Sequence, residues 1–181
     1  MTTSTGPAVA VSAAPAAGTS ARRFLMAVGG GVAILDQATK ALVRATLALH
    51  DSVTVVPGLV DLTHVRNTGA AFGLLNAADF PFKPLVMLGI AVAAFLAIAV
   101  FALQLPPEDR LARTGLGLVL GGAVGNLIDR ATVGYVLDFV DVYWRTYHFW
   151  AFNVADAAIT VGAGLVLVEL VGLRRRPSPS S

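Results

Sequence analysis

The sequence predicts an all-α membrane protein built on four transmembrane helices. Of its 181 residues, 56% are hydrophobic and only 13% charged. Mean hydropathy is +0.73, and four apolar segments occupy residues 24–45, 84–105, 112–129 and 154–173. A soluble domain carries roughly 25% charged residues, so this chain lacks the charge to cover a water-facing surface. A hydrocarbon core of about 30 Å is crossed by about 20 helical residues at 1.5 Å each.

Taken in order, residues 1–21 are rich in Ala, Ser, Thr, Pro and Gly and carry no acidic residue. Such a segment buries too little apolar area to offset its ordering entropy, and it is expected to be a disordered tail. The first apolar segment follows Arg22-Arg23 and runs into Asp36, Lys40 and Arg44 with no small-residue cleavage site, which marks a retained helix rather than an export signal. The second, from Pro84 to Leu105, is free of charge. The third holds Gly117, Gly121 and Gly125 at intervals of four, a small-residue stripe against which another helix can pack closely. We read those glycines as packing positions without catalytic meaning. The fourth ends at Arg174-Arg175-Arg176, which opens a short tail, residues 174–181. Four spans put both ends of residues 22–173 on one side, where Arg22-Arg23, Arg110, Arg113 and Arg174-Arg175-Arg176 also lie. The positive-inside rule makes that side cytoplasmic.

The two outer connections differ in character. Residues 46–83 contain β-like runs, Ser52 to Val56 and Leu59 to Val65, broken by Pro57-Gly58. Residues 130–153 hold every tyrosine and tryptophan of the chain: Tyr135, Tyr143, Tyr147, Trp144 and Trp150. Such a concentration is the signature of an interfacial aromatic belt.

The small inventories narrow the chemistry. Cysteine is absent, which excludes disulfides, thiolate metal sites and a cysteine nucleophile. Ser52 is the only serine between residues 21 and 177, and His50, His64 and His148 form no H-E-x-x-H pair. No metal site is expected. A net charge of +2, dispersed along the chain, is no footprint for nucleic acid. Any catalysis must rest mainly on the eleven carboxylates.

Their depths are informative. Asp36 lies 14 residues past Arg22, Asp129 16 beyond Arg113, and Asp156 18 before Arg174. Helix rise converts these to about 21, 24 and 27 Å, so three helices bring carboxylates to one level near the outer edge of the apolar layer. Asn126 with Asp129, and Asn153 with Asp156, are i,i+3 pairs that put an amide and a carboxylate on one helix face. Asp156 also lies in the first turn of its helix, where the dipole favours the ionised form. Structural duties compete: Asp36 precedes Lys40 by four, the favourable order for a helix ion pair, and Asp129 adjoins Arg130 as a possible anchoring pair. Symmetry of the two motifs makes Asp129 and Asp156 the natural pair. Two adjacent aspartates share a proton, so one can activate water while the other donates to a carbonyl. The same pair could relay protons in a small transporter, and the aromatic connection could instead dock a partner in a non-catalytic assembly factor.

Five segments then resemble bacterial signal peptidase II, the lipoprotein signal peptidase family. They are Asp36-Gln37-Ala38-Thr39-Lys40, Arg66-Asn67-Thr68-Gly69-Ala70-Ala71-Phe72, Gly121 through Asn126-Leu127-Ile128-Asp129-Arg130, Gly134-Tyr135-Val136-Leu137-Asp138-Phe139, and Phe152-Asn153-Val154-Ala155-Asp156-Ala157-Ala158-Ile159. The resemblance implies an aspartyl endopeptidase with four transmembrane helices, a small extracytoplasmic β-sheet and a loop helix. Its substrates would be diacylglyceryl-modified prolipoproteins in the bacterial cytoplasmic membrane, cut before the lipidated cysteine. It implies no cofactor, inhibition by globomycin, membrane lipid as a partner, and an enzyme expected to be monomeric with its site near the outer face. It assigns the catalytic pair to Asp138 and Asp156, supporting roles to Asn67, Asn126, Asp129, Arg130 and Asn153, and structural roles to Asp36 and Lys40. It thereby replaces Asp129 by Asp138 in the pair. The Ala/Ser/Pro-rich tail has no counterpart in the family pattern.

Overall fold

The computed structural model describes residues 16–69, 75, 77–106 and 109–174. In chain order the elements are α1 (Ala16–Thr46), β1 (Ser52–Val56), β2 (Val60–Asn67), α2 (Lys83–Gln104), α3 (Arg110–Thr132), β3 (Val136–Trp144), β4 (Tyr147–His148) and α4 (Val154–Arg174). Each apolar segment of the sequence becomes one helix. α1 starts earlier than expected: residues 16–21, assigned to the tail, are helical, consistent with the strong helix propensity of Ala16, Ala17 and Ala21. Residues 1–15 and 175–181, the bulk of the two expected tails, lie outside the described residues.

α2, α3 and the Val154–Gly172 part of α4 are each long and apolar enough to cross a membrane. α1 is interrupted by Arg22, Arg23, Asp36, Lys40 and Arg44, and its charged residues Asp36 and Lys40 are fully buried. α3 is the central helix and packs on α1, α2 and α4. Glycines allow the close approaches. A Cβ on Gly121 would run into Gly29 of α1, and one on Gly122 into the backbone of Ala155 on α4.

The four strands form one antiparallel sheet in the order β1-β2-β3-β4. β1 and β2 turn at Pro57-Gly58, where Gly58 takes φ +78°, a left-handed conformation that glycine adopts without steric cost. β3 and β4 are a finding beyond the sequence reading, which treated residues 130–153 only as an aromatic belt. The alternation Val136-Leu137-Asp138-Phe139-Val140 sends Leu137 and Phe139 onto Val43 of α1, with Leu47 and Val154 at the edge of the cluster. Asp138 points to the other face. The expected loop helix is not found among the described residues: the second connection is taken up by β3 and β4, and residues 70–74 and 76 of the first lie outside the description.

Candidate active site

β3 and the start of α4 carry the two carboxylates that share a cavity. Asp138 is 3% exposed. Its Oδ1 accepts from Asn153 Nδ2 at 2.8 Å and its Oδ2 from Asn67 Nδ2 at 3.1 Å. Strand register explains the second bond: Val65 faces Asp138 and Asn67 faces Val136, so Asn67 and Asp138 are diagonal neighbours on one sheet face. Asn67 is itself oriented because its Oδ1 accepts the Gly69 N–H at 3.0 Å. Burial, reinforced by the neighbouring Asp156 carboxylate, pushes the Asp138 carboxyl up to about 7, against the opposing pull of the two amides and of Lys40.

Asp156 is held differently. Asn126 Nδ2 donates to its Oδ1 at 2.8 Å, and the backbone N–H of Asn153 donates to Oδ2 at 3.3 Å. Asn153 Oδ1 in return accepts the Asp156 N–H at 2.9 Å. The Asn153–Asp156 pair is therefore a reciprocal capping box at the start of α4, rather than two groups on one helix face. Asn153 Nδ2 also donates to Asn126 Oδ1 at 3.3 Å. The two amides thus link the two carboxylates.

Behind them lies a buried ion cluster. Lys40 Nζ sits 2.8 Å from Asp36 Oδ2 and 3.0 Å from Asp129 Oδ2, and donates to Asn126 Oδ1 at 2.9 Å. Asp129 Oδ1 pairs with Arg44 at 2.7 Å, and its Oδ2 accepts the Leu137 N–H at 3.1 Å. Asp36 Oδ1 accepts the Ala155 N–H at 3.0 Å, so it adds a second cap to α4. The Asp36–Lys40 pair read from spacing is formed. The Asp129–Arg130 pair is not, because adjacent helical residues point about 100° apart. Arg130 instead donates to the Gly69 carbonyl at 2.8 Å.

A cavity of about 750 Å³ opens beside these groups. Asn67, Asn126, Arg130, Asp138 and Asp156 form its polar end, and α2 and α4 supply a long apolar wall that includes Ile90, Phe95 and Ile159. Phe149 and Trp150 of the aromatic connection also line it. Asp129 is not among its lining residues. Lys40 and Asn126 gather Asp36, Asp129 and Asp156 into one cluster, but two of the three are consumed by cations. Asp138, outside that depth estimate because it lies on a strand, completes the cavity.

Sequence reasoning passed over Arg44 and Gln37. Gln37 Nε2 donates to the Gly125 carbonyl at 3.0 Å and to Asp36 Oδ2 at 3.2 Å. The signal for Arg44 was present, since Asp36, Lys40 and Arg44 recur every four residues on one helix face. Gly125 also exceeds its packing role: a Cβ there would strike the Asp36 carboxylate.

The signal peptidase II (SPase II) family model matches residues 28–172. The chain belongs to that family. It is 46% identical over 157 residues to a lipoprotein signal peptidase of Geobacter sulfurreducens, covering 87% of this chain and 97% of that one. It is 46% identical over 145 residues to a lipoprotein signal peptidase of Symbiobacterium thermophilum, covering 79% and 91%. A bacterial membrane enzyme solved by the in meso method at 2.3 Å resolution superposes with a TM-score of 0.75 at 28% identity, covering 87% and 94%. Membership in signal peptidase II makes the chain a membrane-embedded protease and leaves the transporter reading without support.

Proposed function

We propose that this signal peptidase II removes the signal peptide from diacylglyceryl-modified prolipoproteins, cutting before the lipidated cysteine, with Asp138 and Asp156 as an aspartic catalytic pair. The observation that carries the reading is the shared cavity, in which both carboxylates meet a polar cage at one end of an apolar wall. A lipid-anchored substrate needs that combination: hydrogen-bonding groups at the scissile peptide, and an apolar surface for what remains in the bilayer.

The chemistry follows from a pair that holds one proton. Asp138, protonated up to about pH 7, donates to the carbonyl oxygen of the scissile bond. Asp156, held at the N-terminus of α4 by Asn126 Nδ2 and the Asn153 N–H, takes a proton from water as the water oxygen adds to the carbonyl carbon. The resulting diol collapses when Asp156 passes its proton to the leaving nitrogen and one diol hydroxyl returns a proton to Asp138. The C–N bond breaks, and the pair again holds one proton. Asn67 and Asn153 orient Asp138, Asn126 orients Asp156, and Arg130 ties the loop at Gly69 to α3 while facing both carboxylates. Asp129 supports β3 through the Leu137 N–H.

α1 serves as the fourth span in this reading. Its 31 residues are long enough, and its buried charges Asp36 and Lys40 turn to α3 and α4 rather than to lipid. Both termini then lie in the cytoplasm and the site near the outer face of the bacterial inner membrane, in keeping with the arginine-flanked span ends. The enzyme acts as a monomer without a cofactor and is sensitive to globomycin.

Cleavage of a diacylglyceryl prolipoprotein by the purified full chain tests the assignment. Asp138→Asn and Asp156→Asn are each expected to lower the rate by more than about a hundredfold. Normal cleavage by Asp138→Asn, together with a dead Asp129→Asn, would overturn the choice of pair.

A further inference from the structure

Lys40 makes contacts that an anchoring ion pair does not require. Its ammonium is fully buried, touches Asp36 and Asp129, and donates its third bond to Asn126 Oδ1. An ammonium has only donors. The atom of Asn126 that meets it must therefore be the oxygen, which leaves Nδ2 to face Asp156 Oδ1 at 2.8 Å. With its oxygen turned toward Lys40, Asn126 also accepts from Asn153 Nδ2, the atom that donates to Asp138. One buried cation thus stands at the head of an amide chain that ends on both carboxylates.

We propose that Lys40 is a positioning residue for the catalytic pair: it locks the orientation of the Asn126 amide, and its buried charge sets the pH range in which the pair holds a single proton. The proposal rests on the assignment of Asp138 and Asp156 made above. Among the described residues the charged groups facing the pair are few. α1 offers Lys40 and Asp36, and α3 offers Arg130, with Asp129 turned away onto Lys40. β2 contributes the neutral Asn67, while its His64 turns away to the Leu47 carbonyl at 2.9 Å. Arg44 is one step removed, on the far oxygen of Asp129. At Asp138, outside the spans, Lys40 opposes the upward push of burial. Charges inside a low-dielectric cluster are weakly screened, so losing one moves its neighbours measurably.

The test is the pH–rate profile for cleavage of a diacylglyceryl prolipoprotein by the full-length chain in detergent or bicelles. Lys40→Met is expected to move the alkaline limb up by about one pH unit. Asp36→Asn, which removes a negative charge from the same cluster, is expected to move it down. Lys40→Arg keeps the charge and leaves the limb near the wild-type position, even if the rate falls through a less well-fitted bond to Asn126. The opposed shifts separate this role from a structural one, which would lower the rate of all three variants with the profile unmoved. That unmoved profile would overturn the inference. If Lys40→Met does not fold, Lys40→Gln, which removes the charge but keeps a donor for Asn126 Oδ1, carries the same expected upward shift, and an unmoved limb there overturns the inference. Full activity in Asp138→Asn and Asp156→Asn would instead overturn the underlying assignment, so the two failures are distinguishable.

Discussion

Asn153 donates its side-chain Nδ2 to Asp138 Oδ1 at 2.8 Å while its Oδ1 accepts the Asp156 N–H at 2.9 Å. One fully buried amide therefore holds one carboxylate directly and the first turn of the helix that carries the other. Asn153→Ala removes both bonds. Loss of the cap is expected to cost about 1–2 kcal/mol, read as a lower unfolding midpoint in detergent. Cleavage is expected to fall more than about tenfold, because Asp138 loses one of its two amide donors. A variant with reduced stability and unchanged turnover would confine Asn153 to capping.

The raised Asp138 carboxyl makes stability pH-dependent with a definite sign. Between the ordinary 3.8 and about 7, the folded chain keeps a proton that the unfolded chain has released. Stability therefore falls as pH rises through that window and levels off above it. Asp138→Asn removes this contribution. Relative to wild type, the variant should gain stability progressively from about pH 4 to about pH 7. Parallel melting curves for the two proteins across that range would contradict the burial of an ionisable Asp138.

Asp129 separates structure from chemistry. Its 1% exposure and its bonds to Lys40, Arg44 and the Leu137 N–H leave it no reach into the cavity. Asp129→Asn leaves two cations short of a counter-charge and is expected to destabilise by about 3 kcal/mol or more. Turnover per folded molecule is expected to stay within about tenfold of wild type. Active-site counting beside the cleavage assay measures both quantities.

Two glycines give a paired packing test. A Cβ on Gly125 would overlap the Asp36 carboxylate, whereas one on Gly30 meets nothing within 4 Å. Gly125→Ala is expected to cost about 1–3 kcal/mol through overpacking. Gly30→Ala is expected to be neutral or to stabilise by up to about 1 kcal/mol, because alanine loses less backbone entropy in a helix. Similar midpoints for the two would show that α3 can yield at Gly125.

How much of this was legible in the sequence differs by element. The apolar segments 84–105 and 154–173 correspond to α2 and α4 within a residue at each end, because hydrocarbon thickness dictates both length and composition. β3 was equally readable from its β-branched and aromatic run, yet the cluster of tyrosine and tryptophan drew attention to membrane depth instead. The Asp36–Lys40 pair followed from the four-residue repeat, and the same repeat extended to Arg44. Asn153 and Asp156 fit a capping box and a face pair equally well in sequence, since telling them apart needs the helix start to within one residue.

By itself the sequence determined that this chain belongs in a bilayer, where α2 and α4 begin and end, and that its chemistry must rest mainly on carboxylates. Rise along a helix is a local property, so depth can be counted from residue numbers. Only the tertiary structure decided which carboxylates face the cavity. That depends on how α1, α3 and α4 are rotated about their axes and on a strand, β3, that enters from outside the bundle. Asp129 was turned toward Lys40 and Arg44 by that rotation, and Asp138 was brought to Asp156 by sheet pairing with β2. Neither orientation is a property of any one segment.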